Sequence, residues 1–407
     1  MRCRHCGNGS FVPFADLQNC PPSNAMRTEE TLYAPEVYYP LVVEVCDRCF
    51  LAQVGEHKKA TEIFDEDYTY FSSFSRSWLA HCKRFAEAAV ARFGLGAHSK
   101  VVEVASNDGY LLQYFQRAGV PVLGVEPTAN TAEVAISRGV PTIVDFFGEE
   151  FAQSNVAQQA DLICGNNVFA HVPDINDFTA GLKVALAPGG VVSLEFPHLL
   201  RLIEEAQFDT IYHEHFSYLS LGTTISVFEA QELKVFDVEE LPTHGGSLRV
   251  FGAHADDDTK VRTRNVDRLL AEEARAGLCN RDVFEAFQPR IDQIRADFLN
   301  FLLQQRAEGK KVIGYGAAAK GNTLLNYAGV KGSELVRCVA DLSPHKQGRF
   351  LPGSHIPVVA PEIIDDERPD FIVIFPWNIK EEVMEQLSHV RQWGCRFVVA
   401  IPKLTIL

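Results

Sequence analysis

Residues 101–110 constrain the fold of this chain more than any other segment. They read Val-Val-Glu-Val-Ala-Ser-Asn-Asp-Gly-Tyr, a run rich in valine that ends in a polar turn with a glycine. A helical pattern with Leu111, Phe115 and Ala118 on one face follows directly. The segment therefore predicts a strand, a tight turn and a helix. In open α/β sheets, ligands bind where such strands end.

The same alternation of strands and helices continues on both sides of a helical stretch. Residues 261–307 are helical and charged in pattern, and residues 61–95 are also expected to be helical. The alternation predicts an α/β protein, with a central doubly wound Rossmann-like domain and a second Rossmann-like α/β domain at the carboxy terminus. The predicted strands are 100–104, 121–125, 141–144, 160–164, 190–196, 311–315, 336–341, 371–375 and 397–401, and the helices between them include 131–138, 177–186 and 323–327.

Two C-x-x-C pairs mark a separate module at the amino terminus. Cys3 and Cys6 form the first pair, and Cys46 and Cys49 form the second. Two such pairs can place four thiolates around one Zn²⁺, and a site closed by four protein ligands is structural. Two unrelated pairs of reduced thiols are the alternative, because the 39 residues between the pairs exceed the common finger spacing. The predicted division is a zinc-binding module (1–60), the central α/β domain with a helical lead-in (61–255), and a helical arm with the carboxy-terminal α/β domain (256–407).

Charge and hydropathy exclude two classes of function. The 407 residues carry a formal net charge of −15, whereas a nucleic-acid binder needs clustered Lys and Arg to neutralise phosphates. No apolar run is long enough to span a bilayer, and the first residues lack the apolar core of a signal peptide. We therefore expect a cytoplasmic protein, a monomer or small homo-oligomer, that binds neither nucleic acid nor membrane.

The turn after the first central strand favours S-adenosylmethionine (SAM) over NAD. NAD requires glycines that let the backbone approach a pyrophosphate, whereas this turn carries Asn107 and Asp108 and follows the acidic strand residue Glu103. SAM offers a sulfonium, an amino acid and an adenosine, so carboxylates and amides suit it. Glu126 ends the second strand, where it can accept hydrogen bonds from the ribose hydroxyls. The predicted SAM-binding residues are Glu103, Ala105, Asn107, Asp108, Glu126, Asp145, Phe146, Asn166 and Asn167.

A set of motifs occurs in a fixed order along nearly the whole chain. The motifs are the two cysteine pairs, Glu-x-x-x-Asn-Asp-Gly at 103–109, Tyr-His-Glu-His at 212–215, His-Gly-Gly-Ser at 244–247, Tyr-Gly-Ala-Ala-Ala-Lys at 315–320, Asp-x-x-Pro-x-Lys-Gln at 341–347 and Gly-x-His-Ile-Pro at 353–357. With this set, the chain resembles the SAM-dependent sugar C-methyltransferases that make branched deoxysugars. Many methyltransferases have glycine at the position of Ala105, so the chain departs from the common pattern there.

The resemblance implies both an architecture and a substrate. It implies a zinc-binding module, a central SAM domain, and a carboxy-terminal α/β domain that does not bind SAM. The implied substrate is a nucleotide-linked 4-keto-deoxysugar, with dTDP as the nucleotide. The methyl group would go to the carbon next to the keto group.

Residues 212–215 carry the groups that methylation of such a carbon needs. Carbon becomes nucleophilic when a base removes a proton beside a ketone and donors stabilise the enolate oxygen. A tyrosine, two histidines and a carboxylate supply these types, although a structural cluster or a metal site would use them too. An extended backbone would place Tyr212 and Glu214 on one face, whereas a tight loop would bring both to His215. The resemblance implies that His215 is the base, and the predicted catalytic residues are His215, Tyr212, Glu214, His171 and Tyr70.

Two further turns are candidates for holding the substrate. The glycine turn at 314–321 lacks the last glycine of a dinucleotide motif, so it either presents backbone N–H groups and Lys320 to a diphosphate or is vestigial. The turn at 244–247 either lets the backbone approach a ligand or only reverses the chain. The predicted substrate-binding residues are Tyr68, His244, Gly245, Lys320, Lys346 and Arg349.

Two other functions fit parts of the pattern. An O- or N-methyltransferase would use the same SAM turn without forming an enolate. A nucleotide-binding protein that is not a methyltransferase would use the two α/β domains to bind NAD. The motif set favours carbon methylation of a sugar nucleotide over both.

Overall fold

The structure, a computed structural model, describes residues 2–64 and 70–407. Its strands are β1 (Phe11–Cys20), β2 (Tyr39–Cys46), β3 (Ala52–Val54), β4 (Val101–Val104), β5 (Val122–Val125), β6 (Thr142–Ile143), β7 (Ala160–Asn166), β8 (Leu186–Pro197), β9 (Ser217–Tyr218), β10 (Leu233–Leu241), β11 (Ser247–His254), β12 (Val312–Tyr315), β13 (Val339–Ala340), β14 (Val358–Val359), β15 (Phe371–Ile374), β16 (Arg396–Val399) and β17 (Thr405–Ile406). Its α-helices are α1 (Ala60–Ile63), α2 (Arg76–Phe93), α3 (Leu112–Arg117), α4 (Ala129–Ser137), α5 (Glu149–Asn155), α6 (Ile175–Ala185), α7 (Leu199–Glu204), α8 (Leu221–Ala230), α9 (Arg264–Arg275), α10 (Arg281–Glu285), α11 (Phe287–Ala307), α12 (Ala319–Tyr327), α13 (Ile363–Glu367) and α14 (Lys380–Gln386).

The amino-terminal module is a small antiparallel sheet in the order β1-β2-β3-β9. Strand β9 comes from the central domain and pairs with β3, so the module is joined to that domain by backbone hydrogen bonds. Val43 and Val45 of β2 are fully buried, because alternate residues of a strand face the same side. Cys46 is the last residue of β2, which carries the second cysteine pair to one end of the sheet.

The central domain is built on a seven-stranded sheet in the order β10-β11-β8-β7-β4-β5-β6. Strands β8, β7, β4, β5 and β6 are parallel, and the hairpin β10–β11 pairs antiparallel with β8. The chain runs outward from β4 through β5 to β6 and then returns to β7 on the other side of β4. Ligands of open α/β sheets bind at this reversal point, outside the carboxyl ends of the strands.

The carboxy-terminal domain has a sheet in the order β14-β13-β12-β15-β16-β17. Its first five strands in this order are parallel, and β17 is antiparallel at the edge. Numbered within the domain, the order is 3-2-1-4-5-6, which is that of dinucleotide-binding folds. The glycine turn between β12 and α12 therefore lies where such folds bind phosphate.

The modules pack on one another through a continuous apolar core. One buried cluster extends from β1 and β2 through α11 into the carboxy-terminal sheet. Phe14 of β1 lies 5.5 Å from Phe284 and 4.6 Å from Phe287, measured between ring centroids. Sites at the junction of the domains are consequently formed by residues from more than one of them.

The predicted fold class is confirmed, while some boundaries differ from those expected. The helix expected at 177–186 begins at Ile175, because the side chain of Asp174 accepts hydrogen bonds from the N–H groups of Asn176 and Asp177. Helix α2 begins only after Ser75, whose hydroxyl accepts a hydrogen bond from the N–H of Trp78. None of the helices in the two described stretches is long and apolar enough to cross a membrane.

Candidate active site

A cavity of about 1010 Å³ lies at the carboxyl ends of the central strands, where the three parts of the chain meet. The central domain contributes the turns after β4, β5, β6 and β7. The carboxy-terminal domain contributes Lys320 and Asn378, and the amino-terminal module contributes Asn24 and Lys59. Pockets that hold small molecules measure about 300–1,000 Å³, so this one lies at the upper end of that range.

The turn after β4 forms one wall of the cavity and is held rigidly. Ala105 has a φ of 55° and Asn107 a φ of 47°, both in the left-handed region. A non-glycine residue pays about 1–2 kcal/mol there, which explains why glycine is common at the position of Ala105. The N–H of Asn107 donates to Glu126 Oε2 at 2.9 Å, and its Oδ1 accepts from the N–H of Ser72 at 2.9 Å. The turn is thereby tied to both neighbouring segments.

Seven of the nine predicted SAM-binding residues line this cavity. Asn166 is the most informative, because its buried side-chain oxygen and nitrogen have no hydrogen-bond partner among the described residues. Buried polar groups are almost always paired, so such an amide indicates a ligand or a water. Glu126 offers a carboxylate for ribose hydroxyls, and Phe146 is 39% exposed and can cover an adenine ring. These groups fit SAM, and the seven are Ala105, Asn107, Glu126, Asp145, Phe146, Asn166 and Asn167.

The other two predicted residues, Glu103 and Asp108, lie behind the cavity wall. Glu103 is fully buried within β4, and burial raises the pKa of its carboxyl well above the ordinary value. Asp108 Oδ2 accepts from Arg138 at 3.2 Å and from the N–H of Ser73 at 3.3 Å. In the structure, the Asp108 contacts hold the turn in place.

His215 has the geometry of a base. Its Nδ1 lies 2.9 Å from the carbonyl oxygen of Thr210, which can only accept. Nδ1 therefore carries the hydrogen, and Nε2 keeps its lone pair. Burial, and then the nearby ring of His171, lower the pKa of His215 well below its ordinary value, so the imidazole is neutral near pH 7.

The neighbours of His215 come from a tight loop. The N–H of His215 donates to the carbonyl of Tyr212 at 2.9 Å, and the two rings lie 4.0 Å apart. His171 lies 4.5 Å from His215, between ring centroids, and burial lowers the pKa of His171 to about 4. Glu214 also lines the cavity, accepts a hydrogen bond from Asn24 at 2.7 Å, and has a pKa raised to about 7 by burial. The tight loop, and not an extended backbone, is the arrangement found.

The remaining predicted residues divide into those at the cavity and those beyond it. Gly245 lies beside the lining, Arg349 lies outside it, and Tyr68 falls outside the described residues. The predicted catalytic and substrate-binding residues that line the cavity are Tyr70, His171, Tyr212, Glu214, His215, His244, Lys320 and Lys346.

A buried polar network behind His244 was not anticipated from the sequence. Glu195 is fully buried at the carboxyl end of β8, where it pairs with His81 at 2.8 Å and with Arg249. The hydroxyl of Thr243 donates to the second oxygen of Glu195 at 2.8 Å. The network therefore supports the turn that carries His244. A charged residue inside the otherwise apolar strand 190–196 is the signal that could have revealed it.

A second set of residues that the sequence did not predict lies at the junction of the central and carboxy-terminal domains. Trp377 and Asn378 follow β15 at its carboxyl end, and Asp209 lies in the short helical turn Phe208–Thr210. The indole N–H of Trp377 donates to Asp209 Oδ2 at 2.7 Å. The strand that precedes Trp377 was predicted, so its carboxyl end could have drawn attention to these residues.

The four cysteines of the amino-terminal module form a metal-binding set. The sulfur atoms of Cys3, Cys6, Cys46 and Cys49 all lie within 4.8 Å of one another. Sulfur atoms around tetrahedral zinc lie about 3.8 Å apart, as Zn–S bonds of about 2.3 Å require. The Cys3–Cys49 and Cys6–Cys46 sulfur distances are both 3.5 Å, so the set fits Zn²⁺. Four protein ligands leave no open position, which makes this a structural site and not a catalytic one.

The central fold and its site define a SAM-dependent methyltransferase. Three family models match the chain in order: "Putative zinc binding domain" at residues 3–64, "Methyltransferase domain" at 78–238, and "C-methyltransferase C-terminal domain" at 242–402. The chain is 36% identical over 407 residues to the C-methyltransferase NovU of Streptomyces niveus, covering 100% of this chain and 96% of that protein. The chain therefore belongs to the C-methyltransferase family.

Two more distant matches each cover less than half of the chain. A ubiquinone biosynthesis O-methyltransferase of Rhodopseudomonas palustris is 24% identical over 115 residues, which are 28% of this chain and 45% of that protein. A solved SAM-dependent methyltransferase of Clostridium acetobutylicum aligns with a TM-score of 0.36 and 9% identity, over 43% of this chain and 92% of its own.

Proposed function

We propose that this C-methyltransferase acts on a nucleotide-linked 4-keto-deoxysugar, with dTDP as the expected nucleotide, and methylates the carbon next to the keto group through an enolate. One observation carries the proposal: a neutral histidine, His215, whose Nδ1 is fixed by a carbonyl and whose Nε2 is free to take a proton. A base of this kind is needed for methylation of carbon beside a ketone.

In this scheme, His215 removes the proton and its neighbours position the sugar. Tyr212, His171 and Tyr70 surround the reacting carbon, and Glu214 accepts a sugar hydroxyl or an enclosed water. Thr210 fixes the His215 ring through its carbonyl oxygen, so it is a positioning residue. SAM, held by Asn166, Glu126 and the turn after β4, supplies an electrophilic methyl carbon. Much of the acceleration is expected from holding the two reactants together.

We also propose a division of labour between the three parts of the chain. Residues 1–60 hold zinc and add Asn24 and Lys59 to the lining, residues 61–255 hold SAM and the base, and residues 256–407 add the cations Lys320 and Lys346. Lys346 lines the cavity and its Nζ donates to the carbonyl of Ala317 at 2.8 Å, beside the glycine turn. We assign Lys346 to the substrate diphosphate.

Mass spectrometry tests this function. The zinc-loaded protein is incubated with SAM and a panel of dTDP-4-keto-deoxysugars, and one sugar is expected to gain the mass of one methylene. His215→Asn keeps the hydrogen-bonding shape but not the base, so we expect a loss of at least about 10²-fold in rate. His389→Asn on the surface of the carboxy-terminal domain is the matched control and should react like the parent. Undiminished methylation by His215→Asn would show that another group is the base.

A further inference from the structure

Lys320 is a cation that the carboxy-terminal domain places in the same cavity as the base of the central domain. It lies in the first turn of α12, lines the cavity, and is only partly exposed there. Its Nζ donates to Asn378 Oδ1 at 2.9 Å and lies 4.4 Å from the ring centroid of Trp377. The ammonium is thereby held by two neighbours from a different loop of the same domain.

One short segment of the central domain connects Lys320 to His215. In the turn Phe208–Thr210, the carbonyl of Thr210 fixes His215, while the carboxylate of Asp209 accepts from Trp377 under Lys320. The next carbonyl, that of Ile211, accepts from Thr323 of α12 at 2.9 Å. The segment 208–211 thus contacts the base directly, and it contacts the helix and the tryptophan that hold the cation, although base and cation belong to different domains.

The charges around Lys320 argue against a diphosphate contact. The Asp209 carboxylate binds the indole N–H of Trp377, over whose ring Lys320 Nζ lies, and a second anion of higher charge next to Asp209 would be repelled. A keto group carries no net charge, so Asp209 would not repel it. Lys320 lines the same cavity as His215 and His244, and the segment 208–211 is hydrogen-bonded both to the His215 ring and to α12, so the cation and the base border one space. In agreement with this placement, burial first and then the Lys320 charge lower the pKa of His244, and the same charge adds to the lowering at His215.

We propose that Lys320 is a catalytic residue that stabilises the enolate oxygen, so that the carboxy-terminal domain completes the active site. This inference rests on the proposed function of the site. It reassigns Lys320 from the diphosphate, where its place in the glycine turn had suggested it, to the keto group of the sugar.

The step balances without any additional reactant. The C–H bond next to the keto group breaks, the proton goes to Nε2 of His215, and the electron pair moves onto the carbonyl oxygen. That oxygen accepts a hydrogen bond from the Lys320 ammonium, which keeps its proton. When the carbon takes the methyl group, the S–CH₃ electrons stay on sulfur, the C=O bond is restored, and His215 releases its proton to solvent.

Solvent exchange isolates this step from methyl transfer. The zinc-loaded protein is mixed with S-adenosylhomocysteine and a panel of dTDP-4-keto-deoxysugars in D₂O, and uptake of deuterium next to the keto group is followed by NMR. We expect Lys320→Met to slow uptake about 10²- to 10³-fold, the usual cost of losing one oxyanion donor. Lys320→Arg, which keeps the charge, should recover part of the rate. Lys346→Met should instead raise the KM for the sugar nucleotide.

The outcomes separate this inference from the function on which it rests. If the parent neither exchanges the proton nor methylates any sugar of the panel, the proposed function fails. If the parent exchanges and Lys320→Met exchanges equally fast, the assignment of Lys320 is overturned while the function stands. Binding of S-adenosylhomocysteine and zinc content verify that the variant is folded. If Lys320→Met is not folded, the Asn378→Ala variant is measured instead. Loss of the Asn378 contact with Lys320 should slow proton exchange about 10-fold, and an unchanged exchange rate overturns the assignment.

Discussion

Replacing Lys320 with methionine is expected to stabilise the fold while it slows the reaction. Desolvation lowers the pKa of Lys320 from its ordinary 10.5 to about 8, and Asp209 offsets only part of that shift. At about 1.4 kcal/mol per pKa unit, the ammonium costs the folded state up to about 3 kcal/mol. Water in the cavity screens some of this cost, so we expect a gain of about 1–2 kcal/mol.

The gain in stability from Lys320→Met depends on pH, and its direction follows from the lowered pKa of Lys320. Because the pKa of Lys320 is lower in the folded than in the unfolded state, the unfolded chain binds more protons between about pH 8 and pH 10.5. The stability of the parent therefore rises with pH through this window. The advantage of Lys320→Met should be full below about pH 8 and shrink toward pH 10.5.

Thermal unfolding of the zinc-loaded proteins measures this effect. For a chain of 407 residues, a gain of about 1–2 kcal/mol corresponds to a Tm higher by about 1–2 °C near neutral pH, with a smaller difference at about pH 10. Lys83→Met is the matched control, because the Lys83 side chain is 59% exposed and its loss should change stability by less than about 0.5 kcal/mol. A Lys320→Met protein less stable than the parent at neutral pH would refute the reasoning, since the ammonium would then be a structural partner of Asp209.

Two further pairs of substitutions test the site and the module. Gly245 and Gly119 both have positive φ, at 90° and 76°, but a Cβ on Gly245 would lie 2.3 Å from the Trp377 ring whereas one on Gly119 meets nothing. Both alanine variants should lose about 1–2 kcal/mol of unfolding free energy to backbone strain. Gly245→Ala should lose about 1–3 kcal/mol more, together with most of its activity. Equal losses of stability in calorimetry would contradict the packing of Gly245 against Trp377. Cys46→Ser should abolish binding of one zinc ion per chain and lower the Tm, whereas Cys279→Ser, at an exposed thiol, should do neither; metal analysis showing full zinc in Cys46→Ser would rule out the four-cysteine site.

The order of secondary structure could be predicted because apolar runs and turn residues alternate along both α/β domains. The strand 101–104 and its turn follow from local sequence alone, since buried parallel strands read as continuous apolar runs. Boundaries were less predictable where a side chain sets them, as Asp174 does for α6. The motifs also predicted Tyr212, Glu214 and His215 as site residues, but they left open whether a tight loop or an extended backbone presents them.

The parts of the site that could not be predicted depend on contacts between distant residues. Asp209 and Trp377 lie 168 residues apart, and His81 and Glu195 lie 114 apart. Such pairs are set by how distant elements of the fold pack together, within a domain or between domains, and no local pattern of the sequence reports this packing. Glu103 shows the same limit. An acid inside a strand predicts a special role, but only the fold shows that Glu103 lies behind the cavity wall.

The position of the transferred methyl group tests the central claim most directly. The protein is given SAM labelled with ¹³C at its methyl group and a panel of dTDP-4-keto-deoxysugars, and the product is examined by ¹³C NMR. The account predicts a ¹³C-methyl group bonded to the carbon next to the keto group, and a His215→Asn variant that forms it at least about 10²-fold more slowly. A methyl group on oxygen or nitrogen, or on a carbon remote from the keto group, would contradict the account.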